Sequence, residues 1–227
     1  MPLHVSDDFG GVVLHTELPG WIERVISVPR FASYLDALSG DRLGAWDLYQ
    51  WNVVVSEAFY GPLHWLEICL RNAEHDRLRN RFGTDDWWRV APLDEYEMAK
   101  VSAANQKLAR KGVRRPPADD VVTELSFGFW VSLLSRKYDR RLWVPALHGA
   151  FPYYSGRREP LRDNLQTMVL LRNRIMHHEP IHRRHLEADH AKIYRLLGYV
   201  EPQSVGRLRA DDRVPEVLTR RPEGTRR

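Results

Sequence analysis

The sequence predicts an all-α fold, and three observations carry that prediction. Apolar residues recur at spacings of three and four through most of the chain. No stretch sustains the two-residue alternation of a half-buried strand. Helix punctuation falls where those periods begin and end: Asp41 stands where a capping carboxylate is wanted, and Gly83 where a left-handed stop is wanted.

Taken in order, residues 1–20 contain Gly10-Gly11 and Pro19-Gly20 and no helical period, so they read as an irregular lead-in. Residues 21–38 read as a short helix broken at Pro29, followed by a turn at Ser39-Gly40. The helix capped by Asp41 runs through Trp46, Tyr49, Val53 and Phe59. Gly61-Pro62 punctuates the chain, and Pro62 suits the first turn of a further helix ending at Phe82. Residues 85–88 read as a loop whose tryptophans close over the core. Residues 92–112 read as an exposed helix, and the basic, proline-rich stretch 111–117 as a linker. Asp119 or Asp120 then caps an apolar helix through Leu125, Phe129, Trp130, Leu133 and Leu134. A loop with Pro145, Pro152 and Gly156 follows, then helices over 159–178 and 185–197. The arginine-rich residues 202–227 read as a largely unstructured tail. The expected plan is a lead-in (1–20), one helical domain (21–200) and a basic flexible tail (201–227).

Composition narrows the function classes. The 227 residues are 43% hydrophobic and include 8 tryptophans, enough for a well-filled core. The lone Cys69 allows neither an intrachain disulfide nor a Cys/His zinc cluster, in keeping with a reducing compartment. With no apolar run of spanning length and no signal-peptide layout at the N-terminus, the expected location is cytoplasmic, with no membrane partner. The net charge of +4 permits an anionic partner such as RNA without demanding one. A glycine-rich phosphate loop and a GxSxG elbow are both missing, which leaves nucleotide hydrolysis and serine-hydrolase chemistry without support.

The segment Arg172-Asn173-Arg174-Ile175-Met176-His177 stands out. At about 100° per residue, Leu165, Met168, Val169, Ile175 and Met176 gather on one side. Arg172 falls inside that apolar sector, Asn173 and His177 lie at its margin, and Arg174 points away. A guanidinium on a core-facing stripe must be paired, hydrated in a cleft or presented at an interface. The structural alternative is a bridge to Glu67 or Glu124. The chemical alternative is phosphate chemistry, with Arg172 holding phosphate charge, His177 moving protons and Asn173 supporting them. On one helix this makes a sparse site, and a second copy about a two-fold axis makes a fuller one. Glu67 and Arg71 are four apart, and His64 and His75 continue their stripe. They form either a wet intrahelical ion pair or, with Asn72, a wall of the cleft that holds Arg172. Arg71-Asn72-Ala73-Glu74-His75 places its histidine one residue too near the arginine to count as a second Arg-x4-His site. His178 points about 100° away from His177, and Glu179 reads as a tuning or capping group. His177, His178, His182 and His185 invite a metal reading, but Pro180 interrupts the helix between His178 and His182, so no metal or other cofactor is expected.

The Arg-x4-His form resembles the signature of the HEPN superfamily, whose active members are metal-independent ribonucleases. The longer run from Leu171 to Ile181 resembles the Abi-like family of bacterial abortive-infection proteins, as do residues 63–73 and residues 125–134 with Leu142-Trp143. The resemblance spans about residues 30–200. It implies a HEPN-like helical bundle with additional helices, a homodimer, and a role in phage defence or as a toxin, with an antitoxin or defence-system partner. The expected function is endoribonuclease action on RNA, carried by Arg172, Asn173 and His177 and supported by Glu67, Arg71, Asn72, His178 and Glu179. The alternative is a non-catalytic RNA- or protein-binding module or a regulatory subunit.

Overall fold

The computed structural model describes residues 19–224, so all of the expected lead-in except Pro19 and Gly20 lies outside the described residues. The fold is all-α, with no strand among the described residues. Two short helices, α1 (Trp21–Ile26) and α2 (Val28–Ala37), open it. The break between them falls at Ser27, whose φ of 74° leaves the helical region, and Pro29 sits in the first turn of α2, where it is tolerated.

The spine is α3 (Arg42–Phe82), which packs against α2, α6, α7, α8 and α10, the last four defined below. Asp41 caps it by accepting from the N–H groups of Leu43 (3.1 Å) and Gly44 (3.2 Å), and Gly83 ends it in the left-handed conformation. The break expected at Gly61-Pro62 does not occur, and Pro62 lies inside one 41-residue helix. Pro62 deprives the Ala58 carbonyl of its helical donor, a local cost. The buried stripe Leu48, Val55, Phe59, Leu63, Leu66 and Leu70 runs unbroken past it, and that burial outweighs the lost hydrogen bond.

After α3, Trp87 and Trp88 are buried in a 3₁₀ turn, as the sequence suggests. The Trp87 indole donates to Nδ1 of His75 (3.1 Å). His75 therefore belongs to the interior and not to a wet stripe, and burial lowers its pKa. Helix α4 (Glu95–Arg110) buries Val101, Ala104 and Leu108 along one face. The apolar helix expected after the linker divides into α5 (Ala118–Glu124) and α6 (Phe127–Leu133), because Ser126 accepts from the Phe129 N–H and starts a new helix. Pro117 holds the N-cap position of α5, and Asp119 and Asp120 lie in its first turn, favourable to the helix dipole.

Helix α7 (Arg158–Met176) carries the Arg-x4-His segment. Its N-terminal end is pinned by the buried Arg158, which donates from Nε to Asp139 (2.7 Å), from Nη1 to the Leu134 carbonyl (2.5 Å) and from Nη2 to Glu159 (2.7 Å). At the other end, the Asn52 side-chain oxygen on α3 accepts from the N–H groups of Ile181 (2.8 Å) and His182 (3.1 Å). Helix α8 (Leu186–Val200) follows, capped by His185.

The tail departs from expectation. Residues 202–219 form α9 (Pro202–Ala210) and α10 (Val214–Thr219), and Val214 and Val217 are buried. The Trp51 indole donates to the Val217 carbonyl (2.9 Å), and Asp212 accepts from Tyr194 (2.6 Å) and pairs with His190 (2.6 Å). Arginine-rich composition hid two valines with the spacing of one helical turn. Among the described residues, no helix is long and apolar enough to cross a membrane.

Candidate functional site

The site is built where α7 lies against α3. Arg172 does point inward, toward α3, and its Nε stands 3.3 Å from Oε2 of Glu67. The other Glu67 oxygen accepts from the Phe127 N–H at the start of α6 (3.0 Å). One carboxylate thus holds three helices in register, bonded to a backbone donor on one side and to a guanidinium on the other. Glu124, the alternative partner, is instead engaged by Lys107 (2.5 Å) and Lys111. The Arg172–Glu67 pair is partly wet, with 34% of the arginine side chain and 22% of the glutamate exposed. It therefore neutralises charge without closing the site, and is worth about 1 kcal/mol or less to stability.

Arg172 opens into a cleft of about 220 Å³ whose walls include His64, Glu67, Arg71, Met176 and Tyr60. Two cations, one carboxylate and one imidazole therefore face a single small space. Asn72 does not line this cleft, but its side-chain oxygen accepts from Nε of Arg71 (3.3 Å) and steadies it. Tyr60 and His64 stack, with centroids 6.0 Å apart and planes 17° from parallel.

The three catalytic candidates separate within one chain. Arg172 lies in the cleft, while Asn173 and His177 are exposed on another side of α7 and are not among the residues that line it. His177 caps α7, its N–H donating to the Asn173 carbonyl (2.9 Å). His178 takes a left-handed φ of 56°, and the Glu179 N–H returns to the Arg174 carbonyl (2.8 Å), completing a Schellman turn. The Arg30 guanidinium on α2 donates to the His178 carbonyl (3.1 Å), and Glu179 pairs loosely with Arg174 (3.6 Å).

Compared with known family models, curated proteins and solved structures, the chain matches none.

His178 and Glu179 border a second, larger cleft of about 650 Å³ between α2, α3 and the end of α7. It adjoins the first, since Tyr60 and Met176 line both. Met176, assigned to the apolar sector from the sequence, is exposed and forms this shared wall, while Leu171 is buried in its place. The buried sector is rotated toward Leu171 because α6 and α8 also pack on α7. Sequence reasoning missed Arg30, Tyr34, Tyr49 and Asn52. A signal was present in Tyr49, Asn52, Ser56, Tyr60, His64, Glu67 and Arg71, which recur at three and four along α3, but dividing the helix at Pro62 cut that stripe in two.

The histidines do not converge. His182 is fully buried, its ring tilted 31° against that of Tyr34 with centroids 4.8 Å apart, and neither ring nitrogen has a hydrogen-bond partner. Burial, followed by the charges of Arg183, Arg221 and Arg174, lowers its pKa to about 4. His185 spends Nδ1 on the Ala188 N–H (3.2 Å). Among the described residues, no group of three or more His, Cys, Asp or Glu side chains is placed so that it could hold a metal ion.

Proposed function

We propose that this protein is a metal-independent endoribonuclease of a bacterial phage-defence or toxin system, acting as a homodimer. The observation that supports this reading best is the convergence of Arg172, Arg71 and His64 on one cleft, with His177 held at the exposed end of the same helix. Arginine retains its charge and matches phosphate oxygens with a planar fork. In the proposed reaction the 2′-oxygen of the RNA attacks the adjacent phosphorus. The new oxygen–phosphorus bond forms as the bond to the 5′-oxygen breaks, and the 2′-hydroxyl proton is delivered to the leaving oxygen. The products are a 2′,3′-cyclic phosphate and a 5′-hydroxyl. Arg172 binds the charge that builds on the non-bridging phosphate oxygens, His177 moves the proton, and Asn173 positions them. Because Arg172 and His177 occupy different sides of α7, the proposed chemistry takes His177 from a second copy, which adds it to the His64 already in each cleft.

A second reading is favoured by one contact. The Arg172–Glu67 pair, braced by the Phe127 N–H, is also what a non-catalytic binding module would use to join α3, α6 and α7. RNA cleavage in excess EDTA by the full chain, with Arg172→Ala and His177→Ala beside it, separates the two. The ribonuclease reading expects cleavage by wild type, cyclic-phosphate ends, and a loss of about 100-fold or more in each variant, with circular dichroism and oligomeric state unchanged. Equal behaviour of all three proteins, or dependence on a divalent ion, transfers support to the binding module.

A further inference from the structure

The larger cleft is not used by the proposed chemistry, yet it shares a wall with the cleft that is. Tyr60 forms that wall. Its ring stacks on His64 toward the Arg172 side, and it remains 55% exposed, a large aromatic surface presented to solvent with one face already organised. Beyond it, the space of about 650 Å³ is bordered by Tyr34 and Tyr49, with Arg30, Glu57 and His178 at its polar edge. The volume lies within the range of about 300–1,000 Å³ usual for small-ligand sites. An aromatic platform beside a pair of arginines matches the two halves of a nucleotide, a flat base and an anionic phosphate.

We infer that the cleft between α2, α3 and the end of α7 receives a nucleobase, stacked on Tyr60, of the nucleotide whose phosphate lies at Arg172 and Arg71. The inference rests on the proposed RNA substrate and adds a base subsite to it. Ser56 supplies an acceptor for the edge of the base, since its hydroxyl donates to the Asn52 carbonyl (2.7 Å) and keeps its lone pairs, and Glu57, whose Oε1 pairs with Arg213 (2.8 Å), offers its other carboxylate oxygen. Arg30 supplies donors, having spent one N–H on His178.

Nucleoside monophosphates lack an internal phosphodiester, so the wild-type chain can be titrated without turnover. Adenosine 5′-monophosphate, ribose 5-phosphate and inorganic phosphate are compared by calorimetry, with Tyr60→Ala, Tyr60→Phe and Arg172→Ala as variants. Base–aromatic stacking is worth about 1–3 kcal/mol, so the nucleotide should bind about fivefold to 150-fold more tightly than ribose 5-phosphate. Tyr60→Ala should abolish that ratio, Tyr60→Phe should keep it, and Arg172→Ala should weaken both ligands alike. A nucleotide that binds no better than ribose 5-phosphate, as in a cleft built for a peptide, overturns the inference. So does a ratio that survives Tyr60→Ala, or an absence of binding by all three ligands. The outcomes are separable: a base preference without RNA cleavage counts against the ribonuclease alone, and cleavage without a base preference counts against the base subsite alone.

Discussion

At the scale of single residues, His178 shows how the end of α7 is shaped. A Schellman turn wants glycine at the left-handed position, and this chain places histidine there at φ 56°. Histidine tolerates that region better than most side chains but still carries strain. His178→Gly is expected to stabilise the protein by about 1 kcal/mol, read as a higher urea midpoint. A lower midpoint would show that the imidazole makes contacts worth more than the strain. If His178 handles RNA, the same variant gains stability while losing cleavage. Glu67 is the complementary case, a residue that is simple in sequence and engaged by two other helices in space. Its four-residue spacing from Arg71 was legible, and its bond to the Phe127 N–H, sixty positions away, was not.

At the scale of elements, the segment between α7 and α8 is held by Asn52 and by the burial of Ile181 and His182. Its buried imidazole makes the fold sensitive to acid. The unfolded chain protonates His182 near pH 6.5, whereas the folded chain does so only near pH 4. The stability contributed by the neutral form is complete above pH 6.5 and is lost as the pH falls toward 4, by roughly 3 kcal/mol for a shift of this size. Thermal melts of His182→Phe should therefore fall less steeply than wild type over that interval. Parallel pH profiles for the two proteins would refute the assignment. Elements also show where local rules yield. Pro62 is a strong breaker, yet α3 passes through it because a continuous apolar stripe must be buried on both sides. Ser126 is a weak signal inside an apolar run, yet its cap starts a new helix, since a side-chain oxygen can satisfy an otherwise orphaned backbone donor.

At the scale of the whole molecule, buried residues from Ile22 to Val217 form one hydrophobic cluster, with α3 as its spine. The C-terminal helices belong to it. Removing residues 201–227 would expose the surfaces covered by Val214 and Val217 and leave the Trp51 indole without its carbonyl partner. Burial of two valines alone is worth about 3 kcal/mol or more, so the truncated chain should unfold at a clearly lower denaturant concentration. An unchanged midpoint would mean that α9 and α10 contribute nothing to the core.

The helical class, the outer ends of α3, the span of α7 to within two residues and the inward placement of Arg172 are readable from the amino-acid sequence alone, because periodicity and capping are local and act within a few residues. Long-range packing sets the rest: that α3 is one helix, that α9 and α10 form within the basic tail, that Glu67 and not Glu124 meets Arg172, and that His177 stands apart from the cleft. Those outcomes depend on burial and pairing between residues distant in the chain, whose free energies exceed the local preferences they override.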